Sequence, residues 1–188
     1  ISYFQDALGT DHAQSNTELR SEILRGIAQN NTRKYNYKEA LRYFYLSEYA
    51  SIQTWNMENL HMVYQGLASL YTKLNLHEKA LSYTLRSLDI AIQSGFNEPL
   101  QTSLMSIGAC YYKLGKYPEA RKYFDESLEF KSNSFAEANA LHFISIMEFD
   151  SGNFSEAEDL AKKQIDICRN ENYFDFEALG YRLLGKIM

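Results

Sequence analysis

An aromatic pair recurs along this chain at intervals of 40 residues. The pair is Tyr3-Phe4, Tyr43-Phe44 and Tyr123-Phe124, with Tyr83-Thr84 at the remaining position. Three residues beyond each pair stands a small residue: Ala7, Ser47, Ser87 or Ser127. Alanines occupy a second recurring position, at Ala40, Ala80, Ala120 and Ala157. A fixed period of this size is typical of arrays in which each unit buries its apolar face against the next.

Each unit also has an upstream half in which large residues stand three and four positions apart. The third unit shows the pattern as Leu104, Ile107, Gly108 and Tyr111. This spacing predicts an apolar stripe on one helix, and the small residue lets a neighbouring helix approach closely. Residues that tolerate a left-handed backbone then follow, which predicts helix ends at Asn75, Gly115 and Gly152.

The pattern predicts nine helices and no strands. Their expected ranges are 15–34, 37–53, 57–74, 76–94, 98–114, 117–131, 134–151, 154–170 and 174–187. The connections between them are rich in turn and cap residues.

The segment LMSIGACYYKLGKYPEARKYFDESL, residues 104–128, resembles the tetratricopeptide repeat (TPR). The resemblance extends over nearly the whole chain and implies an all-α, right-handed superhelical solenoid of antiparallel helix pairs. The period of about 40 residues exceeds the usual 34 of the family, and no proline closes a unit. We therefore expect one TPR-like domain over residues 1–188, with units at 15–54, 55–95, 96–132 and 133–171.

The two ends resemble partial units, 1–10 and 172–188. The first matches the end of a second helix, and the last matches a first helix without its partner. We therefore expect these residues to be part of a longer protein; a final capping helix is the alternative. The exposed faces of the end helices also predict self-association.

Composition limits the classes of function. The net charge of −5 argues against broad binding to nucleic acid, and no apolar run reaches the length of a membrane span. The two cysteines, Cys110 and Cys168, stand in apolar helical contexts without metal-ligand spacing, which favours small buried residues in a reducing, cytoplasmic compartment.

No motif predicts an enzyme, a metal site or a cofactor. The segment Gly180–Lys186 imitates a phosphate-binding loop, but Ile187 stands where a serine or threonine would bind magnesium, and no strand precedes it. The four histidines show no ligand spacing.

The inner surface of the solenoid is the candidate binding site. First-helix positions outside the buried stripe would project into it, and they are cationic, polar and aromatic. These residues are Arg25, Gln29, Arg33, Gln65, Ser69, Lys73, Met105, Tyr112, Lys113, His142, Phe149 and Arg182. Cations suit carboxylates and the aromatic residues suit apolar contacts, a combination that suits an extended peptide or a partner helix. An ordinary solvated surface is the alternative.

The sequence therefore predicts a non-enzymatic, protein- or peptide-binding module that belongs to a scaffold or regulator. One alternative is the peptide-sensing domain of a bacterial signalling or transcriptional regulator, whose repeats of about 40 residues are similar. Family members that clamp a partner's C-terminal carboxylate carry lysine and asparagine at first-helix positions. Here the corresponding residues do not reproduce that clamp: Arg25, Gln29, Gly66, Thr102 and Ser106.

Overall fold

A computed structural model of the chain describes residues 17–95 and 97–187. These residues form nine α-helices and no strand. The partial unit predicted at residues 1–10 lies outside the described residues, as do the first two residues of the helix predicted at 15–34.

The chain divides into two compact units, Ile1–Ser94 and Gly95–Met188. The helices of the first unit are α1 (Thr17–Arg33), α2 (Tyr37–Thr54), α3 (Met57–Lys73) and α4 (His77–Ser94). Those of the second are α5 (Asn97–Lys113), α6 (Tyr117–Leu128), α7 (Ser134–Asp150), α8 (Phe154–Asn170) and α9 (Phe174–Ile187). Within each unit the short connections pair consecutive helices antiparallel: α1 with α2 and α3 with α4, then α5 with α6 and α7 with α8. This arrangement confirms the predicted all-α, TPR-like fold class.

The recurring small residues lie inside the helix pairs. The four alanines at the second-helix position are fully buried: Ala40, Ala80, Ala120 and Ala157. The same is true of the serines that follow the aromatic pairs, Ser47, Ser87 and Ser127. The large residues that face them from the first helices form the core, among them Ile27, Leu67, Ile107 and Ile144. A larger side chain at an alanine position would separate the paired helices, which is why the period of small residues persists.

The helix ends follow the predicted chemistry. Asn75, Gly115 and Gly152 have positive φ values of 57°, 71° and 82°. In each case the next N–H bonds back to a carbonyl five residues earlier; Leu76 N–H, for example, donates to the Tyr71 carbonyl over 2.9 Å. This bond closes the last turn and satisfies a carbonyl that the helix leaves open. Tyr35 makes the same turn with φ 62°, although tyrosine does not favour that conformation.

Helix α6 ends at Leu128, three residues before its predicted end. The cause is Gln101 of α5, whose buried side chain binds the connection that follows α6. Its Nε2 donates to the Phe130 carbonyl over 3.1 Å, and its Oε1 accepts from the N–H groups of Ser132 and Asn133. These bonds replace the helical ones that would have continued α6.

Candidate functional site

A cleft of about 510 Å³ opens between α1 and α3 in the first unit. Six of the twelve residues predicted for the inner surface line it: Arg25, Gln29, Arg33, Gln65, Ser69 and Lys73. The first three recur every four residues along α1, and the other three do so along α3, 40 residues later. Helical periodicity therefore places each set on one face, away from the buried stripe of its own helix.

Four further residues, which the sequence analysis did not predict for this surface, also line the cleft: Thr32, Phe44, Met62 and Gly66. Phe44 belongs to α2 and is only 1% exposed, so its ring underlies the cleft. Gly66 allows this arrangement, because a β-carbon at that position would lie 2.4 Å from Cε1 of Phe44. The cleft thus has an apolar base that comes from the second helix of the preceding repeat.

The charged residues that line the cleft are all cations: Arg25, Arg33 and Lys73. No carboxylate of the described residues lines it, although the whole chain is acidic. Gln65 adds a buried amide nitrogen that has no hydrogen-bond partner among the described residues. The cleft therefore offers an excess of positive charge and of hydrogen-bond donors.

Arg25 is held in place at one end of the cleft. Its Nε donates to Oδ1 of Asn59 over 2.5 Å. Burial lowers the pKa of Arg25, while the charges of Glu22 and Glu58 raise it. The guanidinium stays charged, since the ordinary pKa of arginine lies far above neutral pH.

Asn59 is itself fixed by a buried polar network. Its Nδ2 donates to three serine hydroxyls, with distances of 3.1, 3.2 and 2.8 Å to Oγ of Ser21, Ser47 and Ser51. Asn59 and the three serines are buried. The network joins α1, α2 and α3, so the orientation of Arg25 depends on the packing of three helices. Sequence spacing did not reveal it, because Asn59 and Ser21 are 38 residues apart.

The six predicted residues of the second unit lie in more varied surroundings. Met105 is 7% exposed and belongs to the core around Phe124 and Leu141. Tyr112 is half-buried, its ring packs against Tyr117 and Phe143, and the Lys113 ammonium lies 6.0 Å from its centroid. Three predicted residues remain. The ring of Phe149 contacts the ring of Phe154. His142 is half-buried and Arg182 is exposed.

His142 lies beside a cation and two aromatic rings. Burial lowers its pKa, and the charge of Arg182 lowers it further. The ring centroids of Phe143 and Phe176 lie 6.0 and 6.4 Å away. His142 Nδ1 is buried without a hydrogen-bond partner among the described residues. Burial and the neighbouring positive charge therefore both favour the neutral form of the imidazole.

The described part of the chain contains no group of three or more histidine, cysteine or acidic side chains that could hold a metal ion. Cys110 and Cys168 are both buried and are not joined in a disulfide. None of the helices in the described ranges is long and apolar enough to span a lipid bilayer.

A family model for the tetratricopeptide repeat matches residues 58–133 and 99–170. Together these overlapping matches extend over more than half of the chain. The protein belongs to the tetratricopeptide repeat family. The matched residues overlap the three units predicted at 55–95, 96–132 and 133–171.

Solved structures share the TPR fold with this chain at low sequence identity. The apo form of RapI superimposes with a TM-score of 0.79 at 19% identity, covering 89% of this chain and 62% of RapI. A signal-transduction ATPase with a TPR sensor, PH0952 from Pyrococcus horikoshii, superimposes with a TM-score of 0.78 at 19% identity. The match covers 96% of this chain and 28% of the ATPase. NprR in complex with its cognate peptide NprX superimposes with a TM-score of 0.70 at 24% identity. The match covers 87% of this chain and 48% of NprR.

This TPR chain spans less than two thirds of the length of each of these proteins. The likenesses confirm the helical solenoid fold. No curated protein matches the sequence.

Proposed function

We propose that this TPR chain is a non-enzymatic module that binds a peptide or an extended protein segment in the cleft of its first unit. The observation that carries the proposal is the convergence of six predicted residues on one cleft with three cations and an apolar base. Concave sites with an apolar base and a few polar groups are the usual form of ligand sites. The complex of the similarly folded NprR with the peptide NprX is consistent with this proposal.

A library of displayed random peptides, selected against the 188-residue chain, tests the proposal. Ser69 is exposed and lines the cleft, so Ser69→Trp should fill it. Ser82 is also exposed in the first unit but does not line the cleft, so Ser82→Trp is the matched control. We expect selected peptides to bind Ser69→Trp at least tenfold more weakly and to bind Ser82→Trp like the parent chain. Equal binding to both variants, with circular dichroism showing intact helices, would contradict the proposal.

A narrower function is that peptide binding regulates an attached effector domain. RapI, NprR and the PH0952 ATPase are longer than the segment they share with this chain, and the last of these is described as having a TPR sensor. On this proposal the present residues are the sensing part of a regulator. The test is to add a selected peptide to the full-length protein and to measure its effector activity; an activity that does not respond to saturating peptide rejects the regulatory role.

Self-association through the last helix is a second candidate. Tyr181 of α9 stands at the repeat position of Tyr64, yet it is 49% exposed whereas Tyr64 is 8% exposed. Phe174, at the start of the same helix, is also largely exposed. Sedimentation equilibrium should then show concentration-dependent mass that Tyr181→Ser abolishes, and a strict monomer would remove this candidate.

A further inference from the structure

We propose that a hollow in the second unit binds a free α-amino acid with a large aliphatic side chain, such as leucine. The hollow has a volume of about 390 Å³ and lies where α6 ends, beside α7 and α8. Sites for small ligands usually have volumes of about 300–1,000 Å³, so this one suits a ligand of few atoms. The inference does not depend on the proposed peptide binding, because the hollow belongs to the other unit and is lined by none of the residues predicted for the inner surface.

The early end of α6 leaves the hollow open. Helices α2 and α4 of the first unit have 18 residues each, whereas α6 has 12. At the repeat position of Lys131 the longer helices bury Ser51 and Ala91, but the Lys131 side chain is 65% exposed. Gln101 holds the connection after α6 away from the helical path. The surface that a further turn of α6 would cover is therefore accessible to a ligand.

The floor of the hollow is aliphatic. Leu128, Leu141 and Ile167 line it and belong to α6, α7 and α8. Leu141 is 7% exposed and is part of the core around Phe124, and the other two side chains pack against that core. Three helices therefore fix the floor, and an aliphatic side chain placed on it would remove apolar surface from water.

The rim of the hollow carries two cations and two carboxylates. Lys131 and Glu137 form an ion pair with each other. Lys163 and Asp166 also line the hollow, yet neither forms an ion pair or a hydrogen bond with a described residue. These two residues are three apart on α8, so their side chains are neighbours on the helix surface. A ligand that carries both charges on one carbon can pair with both residues at once.

A ligand with a single charge fits this rim less well. A fatty carboxylate that pairs with Lys163 would lie close to the negative charge of Asp166. An alkyl amine that pairs with Asp166 would lie close to the positive charge of Lys163. The unpaired charges of α8 and the aliphatic floor together therefore favour an apolar amino acid over either class.

Three ligands that share one branched carbon chain test the charge requirement. Leucine carries both charges, isoamylamine lacks the carboxylate, and isocaproate lacks the ammonium. Each is titrated into the 188-residue chain, and the methyl signals of Leu128, Leu141 and Ile167 are followed by nuclear magnetic resonance. We expect leucine to bind about three- to fivefold more tightly than either analogue, which is the effect of one partly exposed ion pair. Alanine should bind about tenfold more weakly than leucine, because it buries little apolar surface on the floor.

Two pairs of variants assign the charges. Lys163→Gln should remove the advantage of leucine over isoamylamine, and Asp166→Asn should remove its advantage over isocaproate. Lys162→Gln and Asp159→Asn make the same changes of charge at exposed residues of α8 that do not line the hollow. Both of these control variants should keep the two advantages of leucine.

Three results would overturn the inference. One is an unchanged set of methyl signals in a solution saturated with leucine. Another is leucine that binds no more tightly than its two analogues. The third is a full advantage of leucine that survives in Lys163→Gln and Asp166→Asn while circular dichroism shows intact helices. Each result would leave the proposed peptide binding in the first-unit cleft in place.

Discussion

The ring of Phe44 packs against Gly66 so closely that a β-carbon at residue 66 would lie 2.4 Å from Cε1. This contact joins the second helix of one repeat to the first helix of the next. It also forms the base of the candidate binding cleft. The stability of the first unit and the shape of its cleft therefore depend on the same pair of residues.

Gly66→Ala should lower the free energy of unfolding by about 1–2 kcal/mol, because the overlap with Phe44 costs more than alanine gains in helix propensity. Gly185→Ala is the matched control, since among the described residues no atom lies within 4 Å of its β-carbon position. That substitution should stabilise the chain slightly. Urea unfolding of both variants measures the difference, and equal effects would show that the contact at Gly66 is not tight.

Tyr35→Asn should raise the free energy of unfolding by about 0.5–1 kcal/mol, because asparagine tolerates the left-handed conformation better than tyrosine. Tyr35 is 77% exposed and has φ 62°, so only its edge contact with Tyr37 is lost. The reciprocal change Asn75→Tyr, at φ 57°, should destabilise the chain. Thermal or urea unfolding that shows Tyr35→Asn to be less stable than the parent would contradict this account of the turn.

Gln101→Ala should lower the free energy of unfolding by about 2–4 kcal/mol, because it leaves several buried backbone groups without their hydrogen-bond partner. The affected groups belong to the connection after α6: the Phe130 carbonyl and the N–H groups of Ser132 and Asn133. Hydrogen exchange of the Ser132 and Asn133 amides should become faster. In Thr102→Ala, which removes one bond from an exposed hydroxyl, both amides should keep their protection.

The pH dependence of stability should include a contribution from His61. Burial lowers the pKa of its imidazole in the folded chain. The hydroxyl of Ser87, on the paired helix α4, lies within hydrogen-bond distance of the imidazole Nδ1. The unfolded chain therefore binds the proton more tightly, so stability is present above the unfolded pKa of about 6.5 and is lost as the pH falls below it. His61→Gln should show a smaller loss between pH 7 and pH 5 in urea unfolding. A loss identical to that of the parent chain would rule out this contribution.

The repeat could be predicted from the sequence because its signals are local and periodic. Helix ends at Asn75 and Gly115 follow from residues that favour a left-handed backbone, and the buried alanines follow from their spacing. The left-handed turn at Tyr35 could not be predicted, since tyrosine does not favour it. The end of α6 could not be predicted either, because it depends on Gln101, about 30 residues away in sequence.

The candidate site likewise contains residues that the sequence could predict and residues that it could not. Arg25 and Ser69 could be placed on the inner face from helical spacing alone, and both line the cleft. Phe44 and Asn59 were missed because their roles depend on the packing of α2 between its neighbours. Met105 has the same helical spacing, yet it belongs to the core, because the neighbouring pair of α7 and α8 packs against it. Periodicity gives the face of a helix but does not determine how deeply the next helix covers it.

Peptide binding in the first-unit cleft is tested most directly by attaching a nitroxide spin label to a library-selected peptide and recording the amide spectrum of the chain. Our account predicts that the label broadens the amides of Gln29, Gln65 and Ser69, which line the cleft. Signals of Tyr49 and Ser82, which are exposed outside it, should stay sharp. Broadening at Tyr49 and Ser82 with sharp signals from the cleft residues would contradict the account.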